Sequence, residues 1–429
     1  MSILKDMFRA LRHDNYRYFF TGQIVSLIGM WLQAVAFSWL IYRITGSARE
    51  LGQINFCGQL PVLCLVSIGG IAADRFDKRK IVICTQTAFM IMTGLLAVLT
   101  LSGVIQVWQI YILAVILGII QAFDMPARQS LIVELVGKED LPNAIVLNSS
   151  MVNGARLIGP AAAGLLIGEI GEGWCFALNS VSYIGVLIGL FAMRLDIKTI
   201  AEKSAGPLLR LKEGFSFAFH SFPLASLLLM LGAMSLLASP QVVLMPAAVK
   251  HILHGEADTL GYLMASSGAG ALAGALLLAL KKDIKGLEKI IALCMTACGA
   301  AFIAFSLSAK MWLSMMIMAP IGICIMGQMA ISNTLIQSLV PDSLRGRVMS
   351  FHAMMFMGGA PIGALISGLA AERFGVQATF ASAGIIMIAV GLVFMSSLRR
   401  FSVLSARMMR CTERANRRFS SKNDSAEIS

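Results

Sequence analysis

Gly70-Ile71-Ala72-Ala73-Asp74-Arg75-Phe76-Asp77-Lys78-Arg79-Lys80 packs six charged side chains into its last seven residues, between two strongly apolar runs, 50–73 and 80–101. Each run reaches the about 20 residues that an α-helix needs to cross a bilayer, where hydrocarbon offers backbone N–H and C=O groups no partner. The charged stretch therefore reads as a turn at a membrane surface. Working outward from it, the same pattern recurs. Apolar runs occupy 18–42, 50–73, 80–101, 107–127, 141–168, 174–193, 222–249, 259–280, 287–308, 311–337, 346–371 and 376–397. The sequence thus predicts an all-α membrane protein with twelve transmembrane helices. Composition points the same way: of 429 residues 57% are hydrophobic and 14% charged, against about 25% charged in soluble domains.

A net charge of +12 raises the question of nucleic acid, but the placement of the charges answers it. If the N-terminus is cytoplasmic, 29 of the 35 Lys and Arg residues fall in cytoplasmic segments and five outside, with Arg156 alone inside a span. That asymmetry is the positive-inside signature. It predicts both termini in the cytoplasm, no nucleic-acid partner, and membrane lipids as the partner of the basic tail. The eight cysteines are scattered through apolar runs without metal-ligand or disulfide spacing, so no metal site is expected. No nucleotide-binding P-loop and no nucleophile–base constellation is seen, which disfavours ATP-driven transport and enzyme activity.

The two halves resemble each other. Leu131-Ile132-Val133-Glu134-Leu135-Val136 recurs as Leu335-Ile336-Gln337-Ser338-Leu339-Val340, 204 residues later. A charged turn and a new span follow each copy, then Gly159-Pro160 in one and Ala360-Pro361 in the other. This divides the chain into a first six-helix half (1–193), a linker (194–221), a second half (222–397) and a basic tail (398–429).

Polar groups inside spans are costly and mark function. Ser149, Asn153, Arg156 and Pro160 share one helical face. Arg156 lies about 22 Å into its helix, too deep to reach the surface easily; it either is solvated by carbonyls and amides such as Asn153 or meets a polar or anionic solute. The candidate substrate-binding residues are Arg156 and Asn153 with the intramembrane amides Gln33, Asn55, Gln121, Asn179, Gln241, Gln328 and Asn333; Gln23 and Gln59 are further amides inside spans. Asp124 closes the fourth run. It is either a proton site or the ion-pair partner of Arg128 or Arg75. His352 is a second proton-coupling candidate or a packing histidine. His251 and His254, in an external loop, are expected to do nothing specific.

The order Gly70-x3-Asp74-Arg75-x2-Lys78-Arg79 resembles the gating signature of the major facilitator superfamily, apart from Asp77 where many members have Gly. Gly154-x4-Gly159-Pro160-x3-Gly164 resembles the Gly-Pro motif of its exporters. With Gln23-x2-Ser26-x2-Gly29, the stretch Trp39 to Ser47, Pro126-Ala127-Arg128-Gln129, Asn148-x4-Asn153-x2-Arg156 and Arg345-Gly346-Arg347-Val348-Met349-Ser350, the chain is similar over nearly its whole length to the branch holding the bacterial enterobactin exporter and macrolide-efflux proteins. The resemblance implies a monomeric, multi-pass exporter of the bacterial inner membrane that needs no cofactor and uses the proton gradient. It implies that Asp74, Arg75, Lys78 and Arg79 latch the cytoplasmic gate in the outward-open state. Asp124, Arg128, Gly159 and Pro160 join them as gating candidates. Three functions stay open: export of a siderophore or related anionic metabolite, broad efflux of drugs such as macrolides, and a non-transporting membrane receptor or scaffold on the same fold.

Overall fold

The structure is a computed structural model that describes residues 9–193, 217–280 and 286–410. Residues 194–216 of the linker, Lys281, Lys282 and Lys285, and the tail from 411 lie outside the described residues.

Among the described residues are twelve helices long and apolar enough to span a membrane. They are α1 (Asp14–Thr45), α2 (Ala48–Arg75), α3 (Lys78–Leu101), α4 (Val107–Gly137), α5 (Glu139–Ile170) and α6 (Glu172–Ala192), followed by α7 (Phe222–Val243), α8 (Ala257–Leu278), α9 (Leu287–Ser306), α10 (Met311–Leu339), α11 (Leu344–Phe374) and α12 (Val376–Ser396). Local chemistry sets the breaks. Gly46 ends α1 in the left-handed region (φ 62°), its N–H bonded to Tyr42 O, and the Ser47 hydroxyl caps α2 by accepting from Glu50 N. Asp77, the departure in the charged loop, has a local role: its carboxylate accepts from Lys80 N and caps α3.

Two boundaries differ from the sequence expectation. The fourth span continues ten residues past 127 to Gly137, which turns the chain at φ 68°; Arg128 and Glu134 are therefore helical and not in a loop. The seventh span, expected over 222–249, breaks at Ala238 and Leu244, and Met245–Ile252 forms a separate short helix. Pro240 and Pro246 cause this, since each removes a backbone donor and fixes φ.

An even number of spans puts the start of α1 and the end of α12 on one face, called here the terminal face; the opposite one is the far face. In the first half α1 packs on α5 and α6, α2 on α4, and α3 on α4 and α6. The pairs reappear six helices later, as α7 on α11, α8 on α10, and α9 on α10 and α12. Between the halves, α2 packs on α11 and α5 on α8. These two seams have the same chemistry. A Cβ on Gly164 (α5) would stand 2.6 Å from Gly261 Cα (α8), and one on Gly368 (α11) 2.9 Å from Gly52 Cα (α2). Gly164 and Gly368 are 204 residues apart, as are Gly171 and Gly375, which open α6 and α12 with φ of 83° and 87°. The repeat offset is thus kept by glycines at backbone crossings and turns. The prolines read as counterparts, Pro160 and Pro361, are 201 apart and out of step with it.

The start of the tail is a helix, residues 398–410. Phe401 is buried there and packs edge-on to Phe394 at 5.6 Å, and the Arg400 guanidinium lies 4.5 Å over the Phe222 ring. Arg399, Arg407 and Arg410 stay exposed.

Candidate functional site

A cavity of about 280 Å³ lies where the two halves meet. The first half supplies Asn55 and Gln59 of α2 and Arg156 of α5; the second supplies side chains of α7, α10 and α11, among them Met234, Gln241, Met329, Phe356 and Met357. Arg156 sits 17 residues into the 32-residue α5, close to mid-span. Two close approaches hold its helix. A Cβ on Gly159 would lie 2.4 Å from Trp31 Cβ, and a Cβ on Gly268 would lie 2.8 Å from Arg156 O. No other side chain fits between α5 and its neighbours α1 and α8 at this level. The consequence is that the Trp31 ring stands 5.6 Å from the Arg156 guanidinium carbon.

That cation–π contact is the guanidinium's one described partner: no ion pair or hydrogen bond to it occurs among the described residues. A cation–π contact contributes about 0.5–2 kcal/mol, less than the several kcal/mol that a charge costs in a span. The side chain has five N–H donors and keeps its charge, so the cavity presents a cation with no counter-charge among the described residues. Of the other lining amides, Asn55 Oδ1 accepts from Gln59 Nε2 at 2.9 Å. Gln241 Nε2 donates to Ser267 Oγ at 2.9 Å, and its Oε1 is buried without a partner among the described residues.

At the far face the halves are joined. Tyr42 Oη and His251 Nε2 are 2.7 Å apart, Ser47 Oγ donates to Glu372 Oε2 at 3.2 Å, and Lys250 Nζ lies 5.3 Å from the Trp39 ring. Both glycine seams lie toward this face. At the terminal face the charged loop is arranged differently. Lys78 Nζ pairs with Glu134 Oε1 at 2.5 Å, and Arg79 donates to the carbonyls of Leu190 (2.8 Å) and Phe191 (3.2 Å). Both contacts stay inside the first half, tying α3 to α4 and α6. Asp74 is exposed, with no hydrogen bond to a described residue.

The profile of the family described as transmembrane secretion effector, part of the major facilitator superfamily, matches residues 6–418. The chain belongs to this family. It is 26% identical over 385 residues to the staphyloferrin A transporter of Staphylococcus aureus, covering 88% of this chain and 95% of that one. It is 27% identical over 398 residues to the enterobactin exporter of Escherichia coli, covering 91% and 94%. It is 25% identical over 389 residues to the multidrug efflux pump Tap of Mycolicibacterium fortuitum, covering 88% and 94%. Among solved structures, a bacterial homologue of the human lysosomal transporter Spinster superposes with a TM-score of 0.67 at 16% identity, over 93% of this chain and 98% of that one; this likeness concerns the fold alone. The protein is a multi-pass transporter with the major facilitator fold.

Within this transmembrane secretion effector the polar residues named from sequence separate into groups. Arg156, Asn55 and Gln241 line the cavity. Gln33 and Asn179 do not. The Gln33 carbonyl accepts from Thr93 Oγ1 at 3.0 Å and from Asn179 Nδ2, closing a network between α1, α3 and α6. Gln328 is fully buried and donates to Met230 O at 2.8 Å, tying α10 to α7. Asn333 accepts from Gln337 one turn on, and Gln121 is exposed on α4. Asn153 bonds back to Ser149 O of its own helix at 2.9 Å instead of to Arg156. Asp124, 4% exposed, accepts from Thr85 Oγ1 (2.7 Å) and Gln86 Nε2 (2.8 Å) and pairs with Arg128. The ion-pair alternative therefore describes its present state, with Arg128 and not Arg75 as partner. His352 is buried and its Nε2 has no hydrogen-bond partner among the described residues. Gly159 and Gly164 are close-packing positions, whereas Gly154 has open space around it; Pro160 is buried beside Gly261. Trp31, the methionine wall and the Tyr42–His251 contact were not singled out from sequence.

Proposed function

We propose that this transporter exports a small anionic metabolite, a siderophore or a related compound, across the bacterial inner membrane by proton antiport and alternating access. The observation that carries the reading is Arg156: a mid-span cation, bound to one aromatic ring, facing a cavity between the halves. An anion entering that cavity supplies the counter-charge that no described residue supplies. The relatives named for staphyloferrin A and enterobactin fit this chemistry. A second reading, efflux of amphiphilic drugs, draws on the methionine-lined second-half wall, since methionine is adaptable and polarisable, and on the relative named a multidrug pump.

With the terminal face in the cytoplasm, the closed far face and the free Asp74 describe the state that loads solute from inside. Switching then requires the Gly164–Gly261 and Gly52–Gly368 seams to part and the Asp74 loop to engage the second half. Asp74→Asn removes the charge that would make this latch. A charge-assisted hydrogen bond contributes about 1.5–3 kcal/mol, enough to move a two-state gate about tenfold or more. Transport is expected to fall while Ser149→Cys, exposed toward the terminal face, becomes more reactive to a thiol label; unchanged flux and unchanged labelling would remove the gating role. The function itself is tested in proteoliposomes under an imposed pH gradient. Uptake of a carboxylate or catecholate siderophore, with a cationic dye excluded, supports anion export; the reverse supports drug efflux.

A further inference from the structure

The two walls of the cavity differ in kind. At the repeat offset of 204 residues, the position matching Arg156 is Ala360, and both line the cavity. The first half therefore presents a guanidinium and two amides, and the second presents Leu231, Met234, Ile325, Met329, Phe356 and Met357. The second half also contributes hydroxyls, but their protons are already used. Ser235 Oγ donates to Phe356 O, and Ser239 Oγ donates to Ser235 O (3.1 Å) and Ala360 O (3.0 Å). Gln241, 2% exposed, donates one of its two amide protons to Ser267. Hydrogen-bond donors for a solute thus come mostly from the first half: the guanidinium, and Asn55, whose Oδ1 is occupied by Gln59. Trp31 backs the guanidinium, and its own indole N–H is buried without a partner among the described residues.

We infer that the cavity takes amphiphilic anions, with one negative head on Arg156 and an apolar body on the methionine and aromatic wall of the second half. This rests on the anion-export reading and narrows it. A hydrophilic anion with several carboxylates would leave its further charges against methionine and phenylalanine, whose side chains donate no hydrogen bond. Each further buried methylene tightens binding about fourfold, so lengthening the apolar body raises affinity until the wall is covered. Trp31 acts as a positioning residue, holding the guanidinium toward the cavity.

The test uses the full chain in nanodiscs of zwitterionic phosphatidylcholine, with binding read by thermal stabilisation. Octanesulfonate, citrate and octyltrimethylammonium serve as the amphiphilic anion, the hydrophilic anion and the amphiphilic cation. Octanesulfonate is expected to bind at least tenfold more tightly than either of the others. Arg156→Gln should erase its advantage over the cation. Met329→Gln, similar in size, should weaken octanesulfonate about tenfold, and Trp31→Leu should weaken it where Trp31→Phe, which keeps a ring, weakens it less. Displacement of octanesulfonate by phosphatidylglycerol in the disc would support the same chemistry with a membrane lipid as occupant, and absence of displacement supports a free amphiphile. If citrate binds as tightly as octanesulfonate and needs Arg156, the amphiphile inference falls and anion export stands. If the cation binds as well as the sulfonate regardless of Arg156, both fall. Stabilisation by none of the three also overturns the inference.

Discussion

Arg156→Gln is expected to abolish export of the anionic substrate while leaving the protein inserted at normal levels. The substitution removes the cation that has no described ion-pair partner, so it strands no buried carboxylate and breaks no protein hydrogen bond. Stability should hold or rise, because a charge in a span costs several kcal/mol. What is lost is the interaction with solute. A hydrogen bond to a charged group contributes about 1.5–3 kcal/mol, and a bidentate one more, so affinity drops by about a hundredfold. Arg156→Lys keeps the charge but loses the planar fork and the stacking on Trp31, and should retain partial activity. Secreted anion and membrane abundance, measured side by side for the two variants, check this. Normal secretion by Arg156→Gln would show that the cation is structural.

Gly164→Val is expected to stop transport by a different route, and Gly261→Val should behave alike. In the closed far face a Cβ at Gly164 lies 2.6 Å from Gly261 Cα and 3.0 Å from Ala257 O. These are backbone atoms, so no flexible side chain can yield. Overpacking costs about 1–3 kcal/mol even in cores that can adjust, and here the simplest relief is to part the halves. The closed state should lose about tenfold or more of its population. Thr259→Cys reads this out, since Thr259 is 6% exposed beneath the far face. Reactivity toward a membrane-impermeant maleimide should rise sharply in the Gly164→Val background and stay low without it. Transport at normal rate with unchanged labelling would mean that this seam does not close during the cycle. The opposite arrangement, Asp74→Asn, opens the terminal face, so the two variants should move terminal-side and far-side labelling in opposite directions.

Much of the fold was legible because bilayer physics is written into single residues. Charged turns and apolar runs placed the twelve spans within a few residues. They failed where a helix outlasts the membrane, as α4 does through Arg128 and Glu134, and where proline breaks an apolar run, as in α7. The site was most legible in its costliest member. A mid-span Arg must be explained, and Arg156 lines the cavity. Amides were ambiguous, because an Asn or Gln inside a span can satisfy a neighbouring helix as easily as a solute. Gln33 and Asn179 bond each other across α1 and α6, and Gln328 spends its donor on Met230, choices that depend on which helices cross. The methionine wall and Trp31 carry no such mark: apolar residues facing a cavity and those facing lipid have the same spacing in sequence. Tyr42 and His251 meet across 209 residues through the closing of the two halves, which no local pattern encodes.

The central expectation is that Arg156, which has no ion-pair partner among the described residues, makes this secretion effector an anion exporter. The measurement that meets it most directly is the release profile of a strain lacking the protein, grown with limiting iron and complemented by the wild-type chain or by Arg156→Gln, with macrolide and cationic-dye susceptibility scored in the same cultures. The wild-type chain is expected to restore an anionic compound to the medium, Arg156→Gln is not, and susceptibility should be equal in all strains. Susceptibility that rises on deletion and is rescued equally by both chains, with no anionic compound missing from the medium, would contradict it.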